Sequence, residues 1–268
     1  MAIADYYDGL DKLAEDHGGT DLVKISPSQA ASFFTNTTIW YRETLLGEKR
    51  VIENQDSLAL GTIVHYFAEQ ASLRLKPENP DKLVADFLST QKVESPAEIQ
   101  ALWKDMSNEL IKGCIHGHPK PLATEQFMFH KLLPGIYVGG TTDAIVDLGN
   151  VTVSIRDYKT ASTKPSGISY AYRLQAHIYA FLATHYLGYK VSQIELQFVT
   201  RPTKTLPCRH FSFTEPFTEE NLATITDQLQ LIAESVDFWN KNPDLRYLLA
   251  QDLRLKPQPK KKPLFLKD

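Results

Sequence analysis

Residues 135–160 read GIYVGGTTDAIVDLGNVTVSIRDYKT, and the other predicted elements are arranged around them. Two runs rich in β-branched residues, Ile136–Leu148 and Val151–Lys159, flank the turn-forming pair Gly149-Asn150, a pattern typical of a β-hairpin. Alternate residues of the second run share one face, which carries Val151, Val153, Ile155, Asp157 and Lys159. That face begins apolar and ends charged, so we expect a strand that is buried at one end and carries functional side chains at the other.

The charged end of this strand has the groups needed to hold a cation and a water molecule. A carboxylate binds a hard divalent cation, and a lysine beside it can orient or deprotonate the water. Asp143 lies on the partner strand, and its position depends on the turn. A strict two-residue turn places Asp143 opposite Arg156, whereas a bulge or a longer loop places it opposite Asp157. We predict the bulge or longer loop.

Composition limits the class of protein. A chain of 268 residues with 43% apolar content suffices for one large α/β domain, or for a domain with a helical insertion. The formal net charge of -3 gives no global basic field, so contact with nucleic acid must come from a local groove or a bound metal. Two cysteines fit a reducing compartment, and no run reads as a signal peptide or a membrane span. We therefore expect a cytoplasmic protein, in a bacterium or in a virus-infected host cell.

Capping signals and apolar spacing predict the elements around the hairpin. Ser26 and Ser95 each precede a proline and stand three residues before Gln29 and Glu98, so both are predicted N-caps with capping boxes. Periodicity predicts helices over Ser57–Leu75, Ser169–Tyr186 and Thr218–Asn240, and strands over Glu125–His130, Val191–Thr200 and Leu206–Phe213.

These elements predict an α/β fold in which a small mixed β-sheet is flanked by helices. Residues 1–24 are interpreted as an N-terminal arm and residues 25–250 as a single domain. Within that domain, residues of about 77–120 form a predicted helical insertion. Residues 251–268 form a basic tail rich in proline and lysine.

Each of two predicted helices carries a pair of notable residues four positions apart, and therefore on one side of the helix. Gly61 and His65 are one such pair, and Gln175 and Tyr179 are the other. A glycine inside a helix costs about 1 kcal/mol relative to alanine, so Gly61 indicates that something packs close to it. Taken alone, His65 could be an ordinary hydrogen-bonded histidine, and Gln175 with Tyr179 an ordinary helix flank.

Four motifs follow one another in a fixed order: GTIVH at 61–65, GTTD at 140–143, DYKT at 157–160 and QAHIY at 175–179. Together they resemble the RecB-type branch of the PD-(D/E)XK nuclease superfamily, which includes viral and bacterial recombination exonucleases. The resemblance covers roughly residues 25–213 and implies a core like that of restriction endonucleases. The predicted helical insertion lies outside the four motifs that carry the resemblance.

Carried onto this chain, the resemblance implies a metal site. His65, Asp143 and Asp157 would bind the metal, with the backbone carbonyl of Tyr158 as a further ligand. Lys159 would position or activate the water that attacks the phosphorus. The implied cofactor is Mg²⁺ or Mn²⁺, and the implied reaction is metal-assisted hydrolysis of a phosphodiester bond.

The resemblance also assigns supporting residues. Gln175 would contact the substrate or Lys159, Tyr179 would support the pocket, and Glu125 resembles the acid that precedes the central hairpin. Independently of the resemblance, Arg201, Lys204 and Arg209 lie near the late predicted strands, where they either line a DNA groove or are plain surface charge.

The cysteines separate this chain from the iron–sulfur members of the branch. Those members need four cysteines, whereas this chain has only Cys114 and Cys208, so we expect no iron–sulfur cluster. Cys114, His116 and His118 could suggest zinc, but a fourth ligand is missing nearby and a plain loop is favoured.

The sequence therefore predicts a metal-dependent DNA exonuclease. It would act on linear double-stranded or single-stranded ends in recombination, repair or DNA degradation, in a phage or a bacterium. A single-strand-binding or annealing protein is a candidate partner. The alternatives are a structure-specific endonuclease on flap or branched DNA, and a DNA-binding module without turnover. The module is disfavoured because a costly cluster of charges would serve no purpose in it.

Overall fold

A computed structural model describes residues 22–48 and 54–245, together with the isolated positions Ile3, Leu13 and Glu15. Most of the predicted arm and the whole of the predicted tail at 251–268 lie outside the described residues. None of the helices in the described ranges is long and apolar enough to cross a membrane.

Six strands and seven α-helices make up the described fold. The strands are β1 (Val23–Ile25), β2 (Ala123–Leu133), β3 (Ile136–Gly149), β4 (Thr152–Ala161), β5 (Lys190–Thr200) and β6 (Arg209–Pro216). The helices are α1 (Pro27–Thr35), α2 (Thr37–Trp40), α3 (Gln55–Ser72), α4 (Pro80–Thr90), α5 (Pro96–Cys114), α6 (Tyr170–Leu187) and α7 (Glu219–Lys241). A π-helical turn (Tyr41–Leu45) and a 3₁₀ turn (Pro243–Leu245) complete the set.

All six strands form one mixed sheet, which confirms the predicted α/β fold. The order is β1-β3-β4-β5-β6, and β2 pairs with the opposite edge of β3. The β1–β3 and β4–β5 pairs are parallel and the other pairs are antiparallel. Because β1 ends its pairing at Val138 and β4 begins its pairing at Ala144, residues 139–143 of that edge have no strand partner in the described ladders.

The central hairpin contains the predicted bulge. The ladder pairs Ala144 with Arg156 and Asp147 with Val153, and then shifts register before Gly149 pairs with Thr152. Continued by one residue, it sets Asp143 against Asp157. The turn itself lies one residue later than the sequence indicates, because Asn150 and Val151 both adopt positive φ, at 52° and 63°. Val151 is therefore 90% exposed and does not belong to the strand face.

Helices cover both faces of the sheet and form two main cores. One core joins α1, α6 and α7 to a sheet face that includes Val153, Ile155 and Phe198. The other joins α3, α4 and α5 to the opposite face, which includes Tyr158 and Val199. Helices α4 and α5 fill the range of the predicted insertion and pack on α3, the helix that carries His65.

One capping prediction is confirmed and another is wrong. Ser26 and Gln29 form the predicted capping box at the start of α1. Ser95 is the N-cap of α5, but its side chain makes no capping hydrogen bond. The carboxylate of Asp56, at the start of α3, instead accepts hydrogen bonds from the backbone N–H groups of Glu94 and Ser95. Asp56 thus accepts the hydrogen bond from the Ser95 N–H that the Glu98 side chain would accept in a capping box.

Candidate active site

The candidate site lies where β3 and β4 separate. After the Ala144–Arg156 pair, β3 remains beside β2 while β4 remains beside β5, so the next residues face a gap in the sheet. Those residues are Asp143 and Asp157, which are only 8% and 5% exposed. The backbone N–H of Tyr158 donates a hydrogen bond to Asp143 Oδ2 and fixes that carboxylate. The two acids predicted to share a site are thus brought together by the sheet.

Helix α3 brings His65 to Asp143. The Nδ1 atom of His65 lies 3.1 Å from Asp143 Oδ1. The helix comes close to β4 at Gly61, where an added Cβ would lie 3.4 Å from Thr160 Oγ1. Burial alone would lower the pKa of His65, but the charge of Asp143 and the contact with it raise that pKa. The space beside Gly61 is therefore enough for a Cβ at ordinary contact distance, and the prediction that close packing requires a glycine there is wrong.

Glu125 joins this pair from β2. Thr124 pairs with Ala144 and Gln126 with Thr142, which sets Glu125 opposite Asp143. Its φ of 45° lies in the left-handed region, which is uncommon for a residue other than glycine. One ligand atom from each of His65, Glu125 and Asp143 lies within 4.8 Å of the other two. This is the one such group of three or more histidine, cysteine or acidic residues in the described part of the chain.

The acidic side chains of the site lie close enough for the charge of one to disfavour ionisation of the others. Burial of the Glu125 carboxyl and the nearby charge of Asp143 raise the pKa of Glu125 to about 8, although the residue as a whole is exposed. Burial, together with Asp143, also raises the pKa of Asp157, in spite of the opposing effect of Lys159. Burial would raise the pKa of Asp143 as well, but His65, Lys159 and the Tyr158 N–H together lower it. A divalent cation would offset this repulsion, and the set of two carboxylates and one imidazole fits such an ion.

Lys159 is held beside the acids as an ammonium group. Its Nζ lies 2.8 Å from Asp157 Oδ2 and 3.5 Å from Gln175 Oε1. The same nitrogen lies 5.1 Å from the centre of the Tyr172 ring. Burial alone would lower the pKa of Lys159, but the charges of Asp157 and Asp143 raise it. These charges favour the protonated ammonium form of Lys159, which donates hydrogen bonds.

Helix α6 supports the site from the other side of the sheet. Gln175 contacts Lys159, as one of its two predicted roles requires. Tyr179 lies beside Gly140, where an added Cβ would be 3.2 Å from Tyr179 Cε1 and 2.8 Å from Pro27 Cδ. Tyr179 thus packs against Gly140, which precedes Asp143 by three residues on β3, at the back of the candidate site.

Arg201 and the segment of Cys114, His116 and His118 lie outside the group of candidate metal ligands. Arg201 follows β5 and donates from Nη2 to Ser57 Oγ at 2.8 Å, so it ties that loop to the start of α3. Cys114 ends α5 and donates its thiol to the carbonyl of Leu110, while His116 and His118 are exposed. Neither histidine belongs to the group of ligand atoms described above.

Glu125 was predicted only as the acid that precedes the central hairpin, and the predicted metal ligands did not include it. Its placement depends on the register between β2 and β3 and on the left-handed conformation of Glu125 itself. No local sequence pattern predicts either feature. The side chain of Tyr158 is buried in the core against α3, and the role of its carbonyl remains a prediction.

Comparison with known proteins adds a family and a fold. A family model described as the PD-(D/E)XK nuclease superfamily matches residues 24–260. A structure from Eubacterium rectale, described as a candidate exonuclease, aligns with a TM-score of 0.52 at 12% identity, covering 95% of this chain and 94% of that chain. An alkaline exonuclease from Laribacter hongkongensis gives a TM-score of 0.36 at 13% identity, over 68% of this chain and 92% of that chain. At these identities the first likeness supports the fold and the second supports no further conclusion. No curated protein sequence matches the chain.

Proposed function

Because the chain belongs to the PD-(D/E)XK nuclease superfamily, we propose that it is a metal-dependent exonuclease that hydrolyses phosphodiester bonds from DNA ends. The observation that carries the proposal is the grouping of His65, Glu125 and Asp143 within 4.8 Å. Beside that group, Lys159 is paired with Asp157 at 2.8 Å. Hydrolysis of a phosphodiester needs a site for a cation and a fixed donor near the phosphoryl group, and these residues supply both.

The metal would be held mainly by oxygen ligands. His65, Glu125 and Asp143 would hold Mg²⁺ or Mn²⁺, and Asp157, whose charge acts on both Asp143 and Glu125, is the fourth candidate ligand. When bound, such an ion polarises a phosphoryl oxygen and lowers the pKa of a coordinated water.

The remaining chemistry belongs to the side chains of this protein. The ammonium of Lys159 donates hydrogen bonds toward the attacking water and the phosphoryl oxygens, where negative charge develops. Asp157 and Gln175 restrain that ammonium on two sides. The Tyr158 N–H holds Asp143 in position, so the carboxylate does not have to reorganise during the reaction.

Action on ends is favoured by the resemblance of the four motifs to the RecB-type exonuclease branch. The same resemblance favours a role in recombination, repair or DNA degradation, with a single-strand-binding or annealing protein as partner. A structure-specific endonuclease on flap or branched DNA is the competing activity, and a DNA-binding module without turnover is the competing class.

The test compares end-labelled linear duplex, linear single strand and covalently closed circles, each incubated with Mg²⁺ or Mn²⁺. The proposal expects loss of the linear forms alone, and no loss with the Lys159→Ala variant. Cutting of circles would replace the exonuclease by an endonuclease. Binding of DNA without any cutting in either metal would leave only the binding module.

A further inference from the structure

We propose that a surface beside Lys159 binds the single DNA strand at the candidate site by stacking its bases on aromatic rings. We call this surface the aromatic strip and define it as Tyr172, Phe198 and Phe211 with the adjacent Lys164. The inference rests on the proposed nuclease function and deepens it by naming an unpaired strand as the ligand.

The strip follows one row of the sheet from the candidate site to the outer edge. Lys159 on β4 is paired with Phe198 on β5, and Phe198 is paired with Phe211 on β6. Residues that are directly paired across strands project from the same face of a sheet. The row therefore leads from the catalytic lysine to the edge strand without leaving that face.

The rings of the strip contact one another and two ammonium groups. The Tyr172 ring centre lies 5.9 Å from that of Phe198 and 5.1 Å from Lys159 Nζ. At the other end, Lys164 Nζ lies 5.4 Å from the centre of the Phe211 ring. Phe198 is only 2% exposed and forms the floor, whereas Tyr172 and Phe211 keep part of their surface open.

Charge around the strip fits a polyanion. Arg209 is exposed and, two residues before Phe211 on β6, projects from the same face of the sheet. Glu215, the acid of β6, is neutralised by two hydrogen bonds of 2.7 Å from the Arg173 guanidinium. The open rings thus lie among cations and beside an acid that is already paired.

Rings and cations in alternation are the features by which proteins bind single-stranded nucleic acid. Every base has a flat face that can stack on an aromatic ring, and lysines beside the rings follow the phosphates. Stacking of this kind requires unpaired bases, because a duplex hides their faces. Continuity of the row with Lys159 favours the strand being hydrolysed over any other partner.

The test measures the stacking of DNA bases on the strip directly and does not require hydrolysis. Single strands with 2-aminopurine at successive positions from one end are bound to the protein in EDTA, and fluorescence quenching and anisotropy are recorded. We expect quenching confined to a few positions near the end. Phe211→Leu, which keeps apolar cover but has no ring, should abolish part of that quenching and weaken binding about 5- to 100-fold. Phe238→Leu, which changes an exposed ring on α7, should leave both signals unchanged.

A second variant keeps the test independent of folding. Lys164 is exposed, so Lys164→Met should fold normally and lower the slope of log affinity against log salt by about 0.7. Lys104→Met, on α5, is its matched control. Unchanged quenching, affinity and salt slope in both Phe211→Leu and Lys164→Met would overturn the strip. Absence of hydrolysis by the wild type would overturn the proposed function instead, and the binding signals would still decide the strip.

Discussion

At the scale of single residues, the site depends on how one buried ammonium is held. Lys159 is only 18% exposed at its side chain and has Asp157, Gln175 and the Tyr172 ring around its nitrogen. This arrangement supports the donor role that we propose for Lys159, because the acids that stabilise its charge also favour its protonated form. The lysine therefore contributes a fixed positive charge, and the loss of that charge is the most direct test of the mechanism.

Lys159→Met should remove hydrolysis while leaving DNA binding in place. The variant keeps the length of the side chain and loses the donor, so we expect kcat to fall about 100- to 1,000-fold. End-labelled DNA gives the rate, and anisotropy with an uncleaved strand in EDTA gives the affinity. Lys104→Met controls for the loss of a lysine elsewhere. If Lys159→Met retains more than about a tenth of the rate, the lysine is not the donor assigned here.

A second buried ion pair lies next to the site. Arg156 donates from Nε to Glu195 Oε2 at 2.8 Å and from Nη1 to the carbonyl of Cys114 at 2.7 Å. The pair thus joins β4 and β5 to the end of α5. Burial alone would raise the pKa of Glu195, but Arg156 and neighbouring donors lower it below its ordinary value of 4.5.

That lowered pKa predicts a loss of stability in acid. The contribution of Glu195 is fully present above pH 4.5 and is lost as the pH falls through its lowered folded-state pKa. Glu195→Gln should cost about 3–5 kcal/mol at pH 7, because Arg156 is left buried without its partner. Below pH 4.5 the difference between variant and wild type should narrow.

Urea unfolding at pH 7, 5 and 4 measures this difference. Glu215→Gln is the control, since its pair with Arg173 is 30% to 41% exposed and should be worth less than about 1 kcal/mol. A difference between Glu195→Gln and wild type that stays constant over this pH range would show that the lowered pKa has been wrongly assigned.

At the scale of elements, two helix glycines illustrate different packing against the sheet. Gly61 on α3 faces Thr160 Oγ1, which would lie 3.4 Å from an added Cβ. Gly113 on α5 faces the His210 side chain, whose ring would lie 2.4 Å and whose Cβ would lie 2.9 Å from the added atom. That ring is also held by Gln197, at 2.8 Å. An alanine fits at the first position and collides at the second.

Alanine at these two positions should therefore have effects of opposite sign. Gly61→Ala should be neutral or stabilise by up to about 1 kcal/mol, since alanine favours the helix interior. Gly113→Ala should destabilise by about 1–3 kcal/mol, because His210 or α5 must move. Thermal and urea unfolding of both variants give the answer. Equal effects from the two substitutions would show that the space beside the glycines does not decide their role.

The same elements show which features could be predicted from the sequence. Alternation predicted strands β2 to β6, and apolar periodicity predicted the two helices at the site. The resemblance of the four motifs implied the set of acids. The bulge that aligns Asp143 with Asp157 followed from the chemistry the two acids must share. The exact position of the turn could not be predicted, because Val151 adopts a left-handed conformation that β-branched residues rarely take.

The features that could not be predicted depend on contacts between distant segments. The capping box at Ser95 fails because Asp56, which is 39 residues earlier, accepts its N–H. Strand β1 has three residues, too few to show alternation. The position of Glu125 near Asp143 requires the whole β2–β3 register. Local patterns identify elements, whereas these contacts arise only once the sheet is assembled.

At the scale of the whole molecule, the fold creates the site by leaving a gap. The edge of β3 is shared by β1 and β4, and residues 139–143 between them have no strand partner in the described ladders. Into this gap α3 directs His65 and β2 directs Glu125, while α6 closes the back with Gln175 and Tyr179. Candidate ligands from separate segments thus meet only in the folded chain, so a metal bound by them would stabilise the whole fold.

That linkage gives a prediction for metal removal. A ligand that binds only the folded state at about 100 times its Kd stabilises it by about 2.7 kcal/mol. For a chain of this size the shift in Tm should be roughly 5–10 °C. We expect Mn²⁺ or Mg²⁺ to produce such a shift, and EDTA to reverse it. Asp143→Asn should lose the shift, because it removes the carboxylate that contacts His65 directly and faces Glu125 in the site.

The control is Asp227→Asn, which removes an exposed acid on α7 and should retain the full shift. Calorimetric titration of the same proteins separates a lost metal site from a damaged fold, since a folded Asp143→Asn protein should bind the ion weakly or not at all. A full metal shift in Asp143→Asn would place the cation elsewhere. In that case the grouping of His65, Glu125 and Asp143 would no longer support the proposed hydrolysis, even if the enzyme cuts DNA.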